Sequence, residues 1–464
     1  MKVVERLGRR KQEARAGLLL ARQKPLAARG RPQLGDLAEL SAFAREAAQR
    51  FRHCVVLGRG SLTAAAVVGI LGKREGGLDL RVVDSAAPAA LDGVDLEKTL
   101  FIVGDGAEDL DLQVRKRIDE SAQFVAIAAG PRPSGTCWRT FIQPAGAGAL
   151  GFSGLLPAAL LGHDLASLVA AAEQVTLDSA LPLEGNFAVR LGAIAAGLAR
   201  GGADKLTLLP SPGLASLGPW MAEQIVRRTG GVTPVTGEPQ GRKDAYGPDR
   251  LFISLALASE AHDMTYLAEA GHPVVQWQVE SPSALFGEFV RWEIAAETMG
   301  ALLEGVPLEG ALPDVALPAM PGARAPPAEP SLRAQGLALF TDPVHAQTLR
   351  RAAGTLGPQA AASPSSWIAA HLALADAGDC IVLQPRFLQT PHLQNELRTL
   401  QGAIRNATRI ACTTGNAKGL VLELTAGDGK ANRPLPGALR IHAEDGDPEK
   451  IIEALHAAVK LISR

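Results

Sequence analysis

Gly58-Arg59-Gly60-Ser61 follows the apolar run His53-Cys-Val-Val-Leu57 and precedes the Ala/Val/Leu-rich run Thr63–Leu71. Glycines at such a turn let backbone approach a phosphate, amides at a helix start favour the anion, and Arg59 adds a cation. The same glycines serve a tight turn equally well, with Arg59 as an exposed turn residue. Pro210-Ser211-Pro212-Gly213 is a second strand-to-helix turn, and Ser211 gives it a hydroxyl. Gly104-Asp-Gly-Ala-Glu-Asp109 is a third. Its three acids repel a phosphate and read as a solvated helix start that suits the dipole.

Two carboxylates are candidates for acid–base work. Glu223 stands four residues before Arg227, a spacing that places both on one helix face as an ion pair or as part of a site. Glu238 lies in the turn-rich Thr236-Gly-Glu-Pro239, near Asp249 and Arg250, where it can serve a site or brace one. Cys54, Cys137, Cys380 and Cys412 are scattered, with neither a C-x-x-C pair nor a His at ligand spacing. No metal site and no cofactor is expected. Cys54, inside an apolar run, reads as a buried reduced thiol. The His residues have no Ser or Cys partner in a nucleophile motif, so covalent catalysis has no independent support.

Apolar strands alternating with helices must hold these turns in place. Strands are predicted at 53–57, 80–84, 99–103 and 124–128, with helices at 63–71 and 107–119. Strands at 205–209, 251–257 and 273–279 follow, with helices at 186–201, 214–228 and 282–303. This alternation reads as doubly wound parallel sheets, with ligands at the carboxyl ends of the strands. The expected organisation is a helical segment 1–48, wound modules at 49–175 and 176–303, a Pro- and Gly-rich linker 304–330, and a smaller α/β unit 331–464. A helical stretch through 155–174 divides the two modules.

Composition excludes several partners. Lys and Arg number 47 against 48 Asp and Glu, so no global field draws nucleic acid or an anionic membrane. Aromatic residues make up 4%, too few for stacking platforms along a single strand. No apolar stretch of about twenty residues exists to span a bilayer. The basic N-terminus carries acids and only a short apolar run, unlike a signal or transit peptide. A cytoplasmic location is expected.

Several blocks together resemble the phosphoglucose isomerase module found fused to, or beside, bacterial transaldolases. They are Lys205–Trp220 through Thr229-Gly230, Thr236–Gly241, Tyr246–Phe252, Gly287-Glu-Phe-Val-Arg-Trp-Glu293, Ser153–Leu160, Gly378–Leu383 and Leu397–Ala411. The resemblance covers most of residues 50–464 and implies two sugar isomerase (SIS) modules. It also implies a sugar phosphate as ligand and an oligomer, either a homodimer or a hetero-oligomer with an enzyme of carbohydrate metabolism.

The family's chemistry is not retained. Aldose–ketose isomerisation needs a carboxylate that carries a proton between neighbouring carbons. The family supplies it within A-E-S-T-G-K, where this chain reads Val226-Arg-Arg-Thr-Gly-Gly231. Arg227 holds the position of the base, and a guanidinium does not accept a proton. The S-K-S-G-T-T phosphate loop corresponds to Gly104–Asp109. The arginine of G-G-R-Y-S is missing from Pro144-Ala-Gly-Ala-Gly148, and Gly415–Gly419 is too short for the family's histidine segment. The N-P-F-D-Q-P run is blurred into Val306–Pro313. The expected function is a catalytically degenerate isomerase relative that binds a sugar phosphate through Gly58, Arg59, Gly60, Ser61, Ser211 and Arg227. The alternatives are an active isomerase with a relocated base, Glu223 or Glu238, and a ligand-free assembly subunit.

Overall fold

A computed structural model of the chain describes residues 3–23, 37–58, 61–83, 91, 93–104, 107–118, 121–128, 136–144, 146–261, 263–304, 329–357, 359–387, 390–415, 417, 419–427, 434 and 436–463. Arg59, Gly60, Asp105, Gly106 and most of the Pro- and Gly-rich stretch lie outside the described residues, as do the side chains of Glu108 and Asp109.

The chain opens with β1 (Val3–Arg6), α1 (Lys11–Gln23) and α2 (Leu37–Arg50). The expectation of helix throughout residues 1–48 is corrected at Val3–Arg6. That strand pairs antiparallel with Val274–Trp277, and a partner so far along the chain leaves no local signal. The first wound stretch runs β2 (His53–Leu57), α3 (Leu62–Leu71), β3 (Asp79–Val83), β4 (Thr99–Val103), α4 (Glu108–Arg115), β5 (Phe124–Ala128) and β6 (Arg139–Ile142). Two helices follow, α5 (Phe152–Leu160) and α6 (Leu165–Asp178), in place of one divider; Gly162, at φ +87°, turns the chain between them.

The second stretch runs α7 (Phe187–Arg200), β7 (Lys205–Pro210), α8 (Leu217–Arg228), β8 (Thr233–Val235), β9 (Arg250–Leu257), α9 (Thr265–Glu269), β10 (Val274–Val279) and α10 (Leu285–Glu304). The C-terminal stretch holds β11 (Leu332–Ala334), β12 (Leu337–Phe340), α11 (Pro343–Gly354), α12 (Pro364–Leu372), β13 (Cys380–Pro385), α13 (Pro391–Thr408), β14 (Ala411–Thr414), β15 (Leu420–Ala426), β16 (Leu439–Ala443) and α14 (Glu449–Ile462).

One winding recurs three times. The first sheet has the order β3-β2-β4-β5-β6, all parallel. The second has β8-β7-β9-β10 in parallel and closes with β1 antiparallel at its edge. The third has β14-β13-β15-β16 in parallel, closed by β12 and β11 antiparallel. In each, the chain reverses direction across the sheet between the first and third parallel strands, which opens a crevice at their carboxyl ends.

Alternation along the strands fixes which face each side chain takes. Cys54, Val56, Leu100, Ile102 and Val125 enter one apolar cluster, while Val55, Leu57, Phe101, Val103 and Phe124 enter another on the opposite face. Both faces are covered, as parallel sheets require. The first of these clusters continues through α5 into Leu206, Leu251, Ile253 and Trp277 of the second sheet. The first two sheets thus share one core, whereas Ile381, Leu422, Ile441 and Leu455 belong to a separate core in the C-terminal stretch. Helices α1 and α7 cross in backbone contact, because a Cβ on Gly17 would stand 2.0 Å from the Ala193 carbonyl oxygen.

Candidate functional site

The first two sheets meet through the helices that follow their strand-end turns. Helix α3 of the first packs against residues 212–214 of the second. Trp220 Nε1 on α8 donates to Thr63 Oγ1 on α3 at 3.2 Å, and a Cβ on Gly69 would strike Ser216 Oγ at 2.1 Å. Helices α3 and α8 therefore run antiparallel, and the turns that precede them lie at opposite ends of the contact.

On the first sheet, the Gly58 amide donates to Val83 O at 3.2 Å and the Gly104 amide to Leu57 O at 3.3 Å. Ser61 N donates to Gly58 O at 3.4 Å, and a Cβ on Gly58 would meet Ser61 Oγ at 2.6 Å and Ala107 Cβ at 4.0 Å. Gly58, Ser61 and the start of α4 are thus adjacent. Ser61 precedes α3 without capping it through its side chain. Arg59 and Gly60, the other candidates of this turn, lie outside the described residues.

On the second sheet, Ser211 is closed to solvent and its hydroxyl is spent. The oxygen accepts from Leu257 N at 3.1 Å, and the hydroxyl donates to the Glu260 carboxylate. Gly213 N donates to Glu260 Oε2 at 2.9 Å. These two bonds, the hydroxyl's first, hold the Glu260 carboxyl below the usual carboxylate range. The sequence reading missed Glu260. The available signal was an acid three residues past the end of β9, the strand beside β7 across the crevice.

Glu223 and Arg227 stand beyond Trp220 on α8, away from the Ser211 turn. Arg227 lies about 15 Å along α8 from its first residue at a rise of about 1.5 Å per residue. It is 45% exposed at its side chain and bonds Glu223 Oε1 at 2.8 Å. Next to it, Arg228 reaches Glu297 of α10 at 3.7 Å. Arg227 and Glu223 form the ion pair that their spacing offered as one reading.

Glu238 sits elsewhere again, where the second sheet meets the C-terminal stretch. Its carboxylate takes two bonds from Arg250, at 3.0 and 3.1 Å, and one from Cys412 N at 3.2 Å. Arg405 of α13 approaches to 3.7 Å, donates to Pro239 O at 2.5 Å and lies 4.8 Å over the Tyr246 ring. Arg250 also donates to Thr207 Oγ1 at 2.8 Å. Burial alone would lower the Arg250 pKa; Glu238 overrides it and the value is raised. The edges of β8 and β14 are tied by side chains: Thr236 N donates to Thr413 Oγ1, and Gln401 Nε2 to Thr236 O and Cys412 O. Glu238 is a strut between two sheets, enclosed on every side by its partners.

A further buried carboxylate, Glu293 of α10, accepts from Ala149 N at 3.0 Å and crosses from the second sheet's helix to the first sheet's last turn. Gly148 is required there, since a Cβ would stand 2.3 Å from Glu293 Oε1. The sequence showed Glu293 only as the end of a family block. Burial pushes the Cys54 thiol up, and the Cys380 thiol up to about 12, so neither is a nucleophile near neutrality. Among the described residues, no group of three or more His, Cys, Asp or Glu could hold a metal ion, and no helix is long and apolar enough to cross a membrane.

Solved structures share this architecture. A hypothetical protein, TT0462 from Thermus thermophilus, is 21% identical with a TM-score of 0.50, over 63% of this chain and 89% of that one. A glucose-6-phosphate isomerase from Chlamydia trachomatis is 12% identical with a TM-score of 0.47, over 62% of this chain and 73% of that one. A tagatose-6-phosphate ketose/aldose isomerase from Escherichia coli is 12% identical with a TM-score of 0.41, over 65% of this chain and 95% of that one. No protein-family model matches the chain, and no curated protein matches it. At such identities the likeness concerns the fold.

Proposed function

We propose that this chain is a catalytically degenerate relative of sugar-phosphate isomerases that binds a sugar phosphate and acts as a regulatory or structural partner in carbohydrate metabolism. The reading rests on one observation above others: both candidate carboxylates are engaged by arginines of the chain itself. Glu238 is enclosed between Arg250 and Arg405, and Glu223 pairs with Arg227, away from the Ser211 turn. A general base must come within hydrogen-bond reach of the proton it takes.

The resemblance blocks supply the ligand class, and Gly58 and Ser61 supply a place for its phosphate, with Arg59 as the cation. A homodimer or a hetero-oligomer with a carbohydrate enzyme in the cytoplasm belongs to the same reading. The test is thermal-shift screening of the purified protein with glucose 6-phosphate, fructose 6-phosphate and related sugar phosphates, alongside an isomerase assay. A raised melting point without turnover is the expected outcome. Turnover at a hundredth of the typical value of about 10 per second would overturn it.

A further inference from the structure

The second sheet's crevice is occupied by the protein itself. Two donors converge at the turn after β7, the Ser211 hydroxyl and the Gly213 amide, and both end on the Glu260 carboxylate. The carboxylate lies flat on Gly213: a Cβ there would stand 3.0 Å from each Glu260 oxygen and 2.6 Å from Leu257 Cδ1. Gly213 is absent from the positive-φ glycines, so close approach, and not backbone angle, accounts for the residue. A glycine that lets an anion touch backbone is here touched by the chain's own anion.

We propose that Glu260 is an internal anion that fills the second module's strand-end turn and excludes phosphate from it. This rests on the reading of the chain as an isomerase relative whose crevices are anion sites. Glu260 comes from the short turn Ala258–Glu260 directly after β9, and β9 is hydrogen-bonded to β7. So short a tether holds the carboxylate at an effective concentration of about millimolar or above, which an external phosphate must exceed to displace it. The two oxygens use the donors that a phosphate would use, and their charge repels a second anion.

The test is calorimetric titration of the full chain with inorganic phosphate. Glu260→Ala is expected to bind one more phosphate per chain than the wild type. Adding Ser211→Ala to that variant is expected to weaken the gained site at least tenfold, since the hydroxyl is one of its two donors. Glu260→Gln, which keeps the side chain's length and loses its charge, carries the same prediction should the truncated variant not fold. Unchanged phosphate binding in the folded variant would overturn the proposal, as would a gained site that survives loss of the Ser211 hydroxyl. Isomerase turnover by the wild type would remove the degenerate reading and leave this proposal standing. An unchanged titration would do the reverse.

Discussion

Glu238 and Arg250 bind each other through two hydrogen bonds, at 3.0 and 3.1 Å, with their side chains 1% and 0% exposed. The pair closes the seam between the second sheet and the C-terminal stretch, which have separate apolar cores. A charge pair taken this far from water is neutral in net worth but costly to break.

Glu238→Gln is therefore expected to destabilise the protein by about 3–5 kcal/mol, because Arg250 and Arg405 lose the charge that compensates them. Denaturant titration checks this. Glu223→Gln is the control: its partner Arg227 is 45% exposed, and such pairs are worth about 0.3–0.5 kcal/mol. Equal small effects at both positions would contradict the strut assigned to Glu238.

The C-terminal stretch carries an acid-sensitive histidine pair. His371 Nε2 lies 3.2 Å from Val421 O, and a carbonyl only accepts, so that nitrogen carries the proton. His371 Nδ1 then accepts from His345 Nε2 at 2.8 Å. Burial first, then the His345 charge, lowers the His371 pKa from 6.5 to about 3. The unfolded chain takes up this proton below pH 6.5, and the folded chain refuses it until about pH 3. Stability from this group is whole above pH 6.5 and falls with acidification by roughly 1.4 kcal/mol per pH unit. Urea unfolding at pH 7 and pH 5 should show the loss in the wild type and a shallower one in His371→Gln. Parallel profiles would refute the assignment.

Gly17 and Gly197 allow α1 to lie directly on α7: a Cβ on Gly197 would stand 2.3 Å from Glu13 O. Gly17→Ala is expected to cost about 1–3 kcal/mol by forcing the helices apart, even though Ala favours helix over Gly. A stabilised variant in thermal unfolding would show that the N-terminal strand and helix do not dock as described.

The repeated winding was legible where the signal is local. Runs such as Cys54–Leu57 and Leu251–Leu257 bury both faces, and the sequence shows them as unbroken apolar stretches. Strand β1 was not legible, because Val3–Arg6 is held by a partner some 270 residues away. Neither were β8 and β14, of three and four residues, whose edges are tied by Thr413 and Gln401 and not by a pattern of their own. The candidate turns were legible as glycines after strands. What fills them was not: Glu260 reaches Gly213 across 47 residues, and spacing within either segment says nothing of it. Glu238 carried its chemistry in its type, but its enclosure depends on Arg405 from another sheet.

The most direct measurement is the interconversion of glucose 6-phosphate and fructose 6-phosphate by highly purified protein. With Glu238 locked between arginines and Glu223 paired with Arg227, no turnover above background is predicted, and Glu238→Gln and Glu223→Gln leave that null result unchanged. Turnover of about 0.1 per second or faster would contradict it, and its loss in a folded Glu238→Gln or Glu223→Gln variant would identify the base.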